Sequence, residues 1–234
     1  MNAAETDRRS SFRDATRVLS SLLSPLEKRV LLYLAARIPP WINSDHLTGL
    51  ALAAMLGAGV AFWAAGSQPQ YVTLVVVCLA INWFGDSLDG TLARFRKHER
   101  PRYGYYVDHM VDMLGMLFLF GGLGLSGYMS PLIAMGLVVA YFMMSIEVYL
   151  AAHTLGKFQI TYLMMGPTEL RIVLSAGALW LLVNPNAVIL GHSFRLFDIG
   201  GLVAIVALGA VLLMTTAAHT KALYVAEPIR GRVS

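Results

Sequence analysis

The chain has 234 residues, 57% of them hydrophobic and only 14% charged, and its mean hydropathy is +0.62. That balance excludes an ordinary soluble domain and indicates an integral membrane protein. The net charge of +4 matters through its distribution more than its size, and the single cysteine, Cys78, excludes an intramolecular disulfide.

Residues 1–23 are polar and basic, which is not the pattern of a signal peptide. Ser24-Pro25-Leu26-Glu27 reads as a capping box with proline at the first helical position, and the helix is expected to run to about Arg37, before Pro39-Pro40. Leu26, Val30, Tyr33 and Leu34 share one side, whereas Glu27, Lys28 and Arg37 are charged. The segment is too charged to span, so an amphipathic interfacial helix is expected, with Trp41 as an anchor. Residues 1–45 thus read as a cytoplasmic N-terminal segment.

Asn43-Ser44-Asp45 offers N-caps for a first span over roughly 46–66. The second is expected from Tyr71 into an Asp-rich stretch, the third over about 105–127, the fourth over about 131–152, the fifth from near Glu169 to Asn184-Pro185-Asn186, and the sixth over about 199–220. Each is near the ~20 residues that a bilayer core requires. The expected fold is therefore all-α and polytopic, with six transmembrane helices in a membrane domain at 46–222 and a cytoplasmic tail at 223–234. Six spans place both termini on one side. Lys and Arg number seven up to Asp45, five from Arg94 to Arg102, two over 153–171 and three from Lys221, leaving only Arg195 on the other side. By the positive-inside rule both termini and the Arg94–Arg102 loop are cytoplasmic. Charge confined to one membrane face argues against nucleic-acid binding.

The stretch from Asp86 to Asp112 carries the chemistry. Asp86, Asp89, Gly90, Ala93 and Arg94 fall at i, i+3, i+4, i+7 and i+8, which is one stripe of a helix. Nine residues separate Arg94 from Gly104, and Gly104, Asp108, Asp112 and Gly115 form a second stripe. Two helix ends with two carboxylates each can converge on one pocket. Four like charges that close repel unless protonated or bridged by cations, and hard oxygen donors suit Mg²⁺, Mn²⁺ or Ca²⁺. Small residues at Gly90, Ala93 and Gly104 either admit a ligand to the backbone or let helices pack closely. Cys78 lies two turns before Asp86, and Ser87 and Thr91 lack an evident base, so nothing here reads as a covalent nucleophile.

These residues resemble the signature of the CDP-alcohol phosphotransferase (CDP-alcohol phosphatidyltransferase) family, D-x2-D-G-x2-A-R-x8-G-x3-D-x3-D. All eight named positions match; the spacer after Arg94 holds nine residues instead of eight. The resemblance implies transfer of a phosphatidyl group from CDP-diacylglycerol to a small alcohol, with release of CMP, in phospholipid biosynthesis. It implies two Mg²⁺ (or Mn²⁺) ions held by Asp86, Asp89, Asp108 and Asp112, with Asp112 also as the base for the acceptor hydroxyl. Gly90, Ala93, Arg94 and Gly104 would meet the nucleotide donor, Arg94 through its planar fork. It further implies a homodimer, and the location is expected to be the cell (inner) membrane with the site facing the cytoplasm.

Acceptor candidates are Glu147, Lys157, Glu169 and Arg171, all near the same membrane face. Phosphorylated acceptors would want Lys157 and Arg171; an amino-alcohol would want Glu147 or Glu169. Asn82 extends the Asp86 stripe and either orients a ligand or bonds another helix, whereas His109 points off the stripe and reads as structural. Two other functions fit an acidic membrane site: an intramembrane Mg-dependent prenyltransferase, or a non-enzymatic divalent-cation binding or transport protein. The former class has widely separated Asp motifs and about nine spans, and a transport path would need polar residues continuing to the other face.

Overall fold

Several helices of this chain begin where the sequence supplies local start signals. The structure, a computed structural model, describes residues 16–18, 24–155, 157–159, 166–189 and 191–227, with the side chains of 16–18, 24, 157–159 and 189 outside that description. In chain order the elements are β1 (Thr16–Val18), α1 (Ser24–Ala35), α2 (Ser44–Ala65), a short 3₁₀ turn (Pro69–Tyr71), α3 (Val72–Phe95), α4 (Pro101–Leu125), α5 (Pro131–Leu155), β2 (Lys157–Gln159), α6 (Pro167–Leu181), β3 (Asn186–Ile189), β4 (His192–Arg195) and α7 (Leu196–Ala226). Asn43 caps α2 in a box with His46, each side chain bonding the other's backbone N–H. Proline opens α4, α5 and α6, where its missing N–H costs nothing.

Five helical segments among the described residues are long and apolar enough to cross a membrane: Ser44–Ala65, Pro69–Phe95, Pro101–Leu125, Pro131–Leu155 and Leu196–Ala226. At most half of the apolar window in each is buried, and large apolar side chains such as Leu56, Val77, Leu117, Met135 and Leu213 are exposed. Water does not tolerate so much apolar surface, and lipid does. The chain is therefore an all-α polytopic membrane protein. The fifth expected span is realised as α6, a helix of 15 residues. At 1.5 Å per residue α6 is about 22 Å long, short of a ~30 Å hydrocarbon core. The chain then turns into the antiparallel β3–β4 hairpin, a feature with no counterpart in the sequence reading; Gly191 supplies the positive φ its turn requires.

Packing is denser at one end of the bundle. Phe62 of α2, Val72, Val75 and Leu79 of α3, Leu119 and Leu123 of α4, Ala178 and Leu181 of α6 and Phe197 of α7 form the main core. There α2 and α4 meet through glycine: a Cβ on Gly59 would strike the backbone of Phe118, and one on Gly122 would strike the backbone of Gly59. Small residues let the helix axes approach where the hydrophobic effect cannot drive association. The opposite end carries the Asp-rich segments of α3 and α4. There Leu31 and Ala35 of α1 are buried against Leu47, Leu88 and Leu92, while Leu26 and Tyr33 stay exposed. Arg96, just past α3, donates to the carbonyls of Ile38 and Ile42 and ties the segment after α1 to the Asp-rich end.

Candidate active site

Helical periodicity brings the acidic residues of α3 and α4 to one place. Carboxylate oxygens of Asp86, Asp108 and Asp112 lie within 4.8 Å of one another, and all three residues are half-buried. Asp89 is buried one turn further along α3 and stands outside this set of three. Its Oδ2 accepts from Thr48 Oγ1 of α2 at 2.6 Å, and its Oδ1 accepts from the Gly90 N–H at 2.5 Å. Three hard oxygen donors this close suit a divalent cation of the Mg²⁺ or Mn²⁺ type, which offsets their mutual repulsion.

A cation of the chain itself also reaches the cluster. Arg171, on the first turns of α6, donates from Nη2 to Asp86 Oδ2 at 2.5 Å and from Nε to Asn82 Oδ1 at 2.7 Å. Its Nη1 is buried with no hydrogen-bond partner among the described residues. Asn82 is buried, and its amide donates to the Ala51 carbonyl of α2 at 3.1 Å, so of the two alternatives the sequence left open the structure shows the bond to another helix, and the Asn82 oxygen also accepts from Arg171.

The small residues of the two stripes divide into two kinds. Among the described residues a Cβ on Gly104 would meet nothing within 4 Å, and one on Gly90 would meet only the Arg94 guanidinium at 3.4 Å, an ordinary contact. Among the described residues neither glycine packs against another helix, and both leave backbone open on the stripes that carry the acidic cluster. By contrast a Cβ on Gly115, on the same stripe as Gly104, would press on Met55 at 3.1 Å, and one on Gly85 would meet the Leu47 carbonyl at 2.6 Å. Arg94 is exposed, lies against Gly90 as the stripe requires, and donates to Thr91 Oγ1 at 3.4 Å. Ala93 is half-buried on the same face.

The family match decides what this arrangement belongs to: residues 41–225 match the model described as CDP-alcohol phosphatidyltransferase. The chain belongs to the CDP-alcohol phosphatidyltransferase family. No curated protein matches the chain. Members of this family are transferases of phospholipid biosynthesis, and the family generally uses divalent metal ions. The matched region contains α2 to α6 and nearly all of α7, hence every element that contributes to the acidic cluster.

Within this member of the family the remaining candidates separate. Glu147 lies on the far side of α5 and pairs with His219 of α7 at 2.6 Å, so it is turned from the cluster. Glu169 caps its own helix, accepting from the Gly166 N–H at 3.0 Å. The Lys157 side chain lies outside the described residues. Of the four acceptor candidates, Arg171 is the one seen at the aspartates. His109 Nδ1 faces the Tyr105 carbonyl at 2.6 Å and lies 3.8 Å from Asp108 Oδ2, and the ring packs on Tyr105 and edge-on against Tyr149. Sequence reasoning missed Thr48, which has no motif to announce it and lies 41 residues from Asp89. It also missed Glu27 as a partner of the motif helix; its Oε1 accepts from Trp83, Ser87 and Thr168.

Proposed function

We propose that the chain transfers the phosphatidyl group of CDP-diacylglycerol to a small alcohol, releasing CMP. The observation that carries this reading is the convergence of Asp86, Asp108 and Asp112 within 4.8 Å beside the open backbone of a member of this family. Divalent cations held there, two of Mg²⁺ or Mn²⁺ with Asp89 as a further ligand, would neutralise the pyrophosphate and the charge building on the departing phosphate. Asp112 takes the proton of the acceptor hydroxyl. That oxygen bonds to the phosphorus bearing diacylglycerol, and the bond from this phosphorus to the bridging oxygen breaks to leave CMP. Arg94 presents a planar fork to donor phosphate. Gly90, Ala93 and Gly104 keep side chains out of the nucleotide's way. Thr48 and the Gly90 N–H hold the Asp89 carboxylate in orientation.

Arg171 favours an acceptor with negative charge near its hydroxyl. Its Nη1 is a buried donor without a partner among the described residues, and such a donor is costly unless a ligand completes it. Glu147 instead pairs with His219, and Glu169 accepts from the Gly166 N–H.

The membrane arrangement in this reading has six crossings. Helix α6 joins both ends of the bundle, since Arg171 meets Asp86 while Leu181 lies in the main core. A crossing α6 keeps the cluster, the termini and 17 of the 18 Lys and Arg on one, cytoplasmic face. Helix α1 lies on that face as an interfacial helix, followed by the membrane domain at 46–222 and the tail at 223–234. The assembly is a homodimer in the cell membrane. The test is CMP release by purified protein given labelled CDP-diacylglycerol, Mg²⁺ and, in turn, glycerol 3-phosphate, inositol phosphate, inositol, serine and amino-alcohols. Release with a phosphorylated acceptor is expected. Silence with every acceptor overturns the reaction, and a preference for amino-alcohols removes Arg171 from the acceptor side.

A further inference from the structure

We propose that Glu27, on the N-terminal helix α1, is a positioning residue that sets how α6 docks on the motif helix and thereby aims Arg171 at the acidic cluster. Glu27 is half-buried, and its Oε1 accepts from Trp83 Nε1 at 2.8 Å, Ser87 Oγ at 3.2 Å and Thr168 Oγ1 at 2.7 Å. All three donors are neutral, so the carboxylate acts here as an acceptor for two helices and not as half of an ion pair. Oxyanion acceptors make the stronger hydrogen bonds.

The spacing of the partners gives the bond its consequence. Trp83 and Ser87 are four apart on α3 and form the stripe next to Asn82 and Asp86, which are also four apart. Thr168 and Arg171 are three apart on one face of α6. Helix α6 therefore meets α3 through two neighbouring links. Arg171 reaches Asn82 and Asp86 directly, because its side chain is long. Thr168 is linked to Trp83 and Ser87 through the Glu27 Oε1 that all three share. The far end of α6 is held in the main core by Ala178 and Leu181, and at the Arg171 end a single link defines its rotation less closely than two. Two links one turn apart fix that rotation, and with it the direction from which the guanidinium approaches Asp86. The α1 helix is held for this task, since Leu31 and Ala35 are buried against Leu88 and Leu92 of α3.

The kinetic half of the test rests on the transfer reading above, and the stability half does not. Full-length protein in detergent is compared as wild type, Glu27→Ala, Glu27→Gln, Thr168→Val, Arg171→Ala and the pairs Glu27→Ala with Thr168→Val and Glu27→Ala with Arg171→Ala. In thermal unfolding, Glu27→Ala and Thr168→Val should be less than additive because they remove the same bond. In turnover, Glu27→Ala should raise the acceptor KM about tenfold or more while the donor KM moves less than about twofold. Glu27→Gln keeps an acceptor oxygen and should return the acceptor KM to within about threefold of wild type. On the Arg171→Ala background, Glu27→Ala should change the acceptor KM less than about twofold, because it acts through Arg171. Multiplying effects of Glu27→Ala and Arg171→Ala overturn the proposal. So does a parallel loss in kcat and in both KM values, which would mark a plain structural prop. Should Glu27→Ala fail to fold, Thr168→Val cuts the same link from α6 and carries the same expectation. If even wild type releases no CMP, the transfer reading falls and the unfolding cycle decides: coupling supports the link, independence overturns it.

Discussion

Replacing single glycines by alanine separates ligand-facing backbone from packing backbone. At Gly122 the added Cβ would strike the backbone of Gly59, which cannot swing aside as a side-chain end can. Overpacking of this kind costs about 3 kcal/mol, the upper end of its usual range. The helix-propensity gain of alanine over glycine returns about 1 kcal/mol, so Gly122→Ala should lose about 2 kcal/mol net. For a chain of this length that is a fall of roughly 4–8 °C in Tm. At Gly90 the same atom would meet only the flexible end of Arg94 at 3.4 Å, and at Gly104 it would meet nothing among the described residues. Those two variants keep the propensity gain, and their Tm should rise by about 1–4 °C. Their cost should appear in donor affinity, weakened at least about tenfold, or about 1.4 kcal/mol, if the nucleotide lies against that backbone. Thermal unfolding in detergent and titration with CDP-diacylglycerol measure both quantities on the same samples. An unchanged Tm in Gly122→Ala would refute the packing argument. Gly90→Ala or Gly104→Ala with lowered Tm and normal donor binding would refute the ligand-facing assignment.

Chelation with EDTA should abolish turnover, and Mg²⁺ or Mn²⁺ should restore it; Asp108→Asn should weaken Mn²⁺ binding followed by electron paramagnetic resonance, whereas full activity in chelated protein would remove the metal site. Asp112→Asn should lose at least ~100-fold in turnover, the lower end of general-base contributions, while still binding donor with metal present. Asp89→Asn should instead weaken donor and metal together, and equal loss of donor binding in both variants would reduce Asp112 to a plain ligand. Arg94→Lys keeps the charge but loses the fork and should impair turnover; donor binding and turnover that survive Arg94→Ala would exclude a phosphate role. With Cys78 replaced, a cysteine placed in the 96–102 loop should react with impermeant reagents only from the cytoplasmic side and one at Ser67 only from the other. Labelling of both from one side would break the six-crossing arrangement.

Much of the site could be read from residue spacing alone. Asp86, Gly90 and Arg94 share a stripe because an α-helix repeats every 3.6 residues whatever surrounds it, and the structure finds Arg94 folded over Gly90. The start of α2 was equally legible, since Asn43 caps within its own first turn. The short α6 and the β3–β4 hairpin were not, because apolar content marks a membrane segment but does not say where its backbone stops being helical. The glycines show the limit most directly: Gly90, Gly104 and Gly115 look alike in sequence, and only the neighbour across the gap makes Gly115 a packing residue.

Composition and periodicity by themselves determined a polytopic helical membrane chain and the acidic stripes on two successive helices, and the resemblance to a family signature matched at all eight positions. These are local properties, set by each residue's distance from its near neighbours along one helix. The tertiary structure alone decided which distant side chains share the site. Thr48 meets Asp89 across 41 positions, Arg171 meets Asp86 across 85, and Thr168 meets Glu27 across 141. It also decided that Glu147 faces His219 and not the aspartates. A helix fixes which residues lie on one face, but the direction of that face depends on which helices pack against it, and that is a property of the whole bundle.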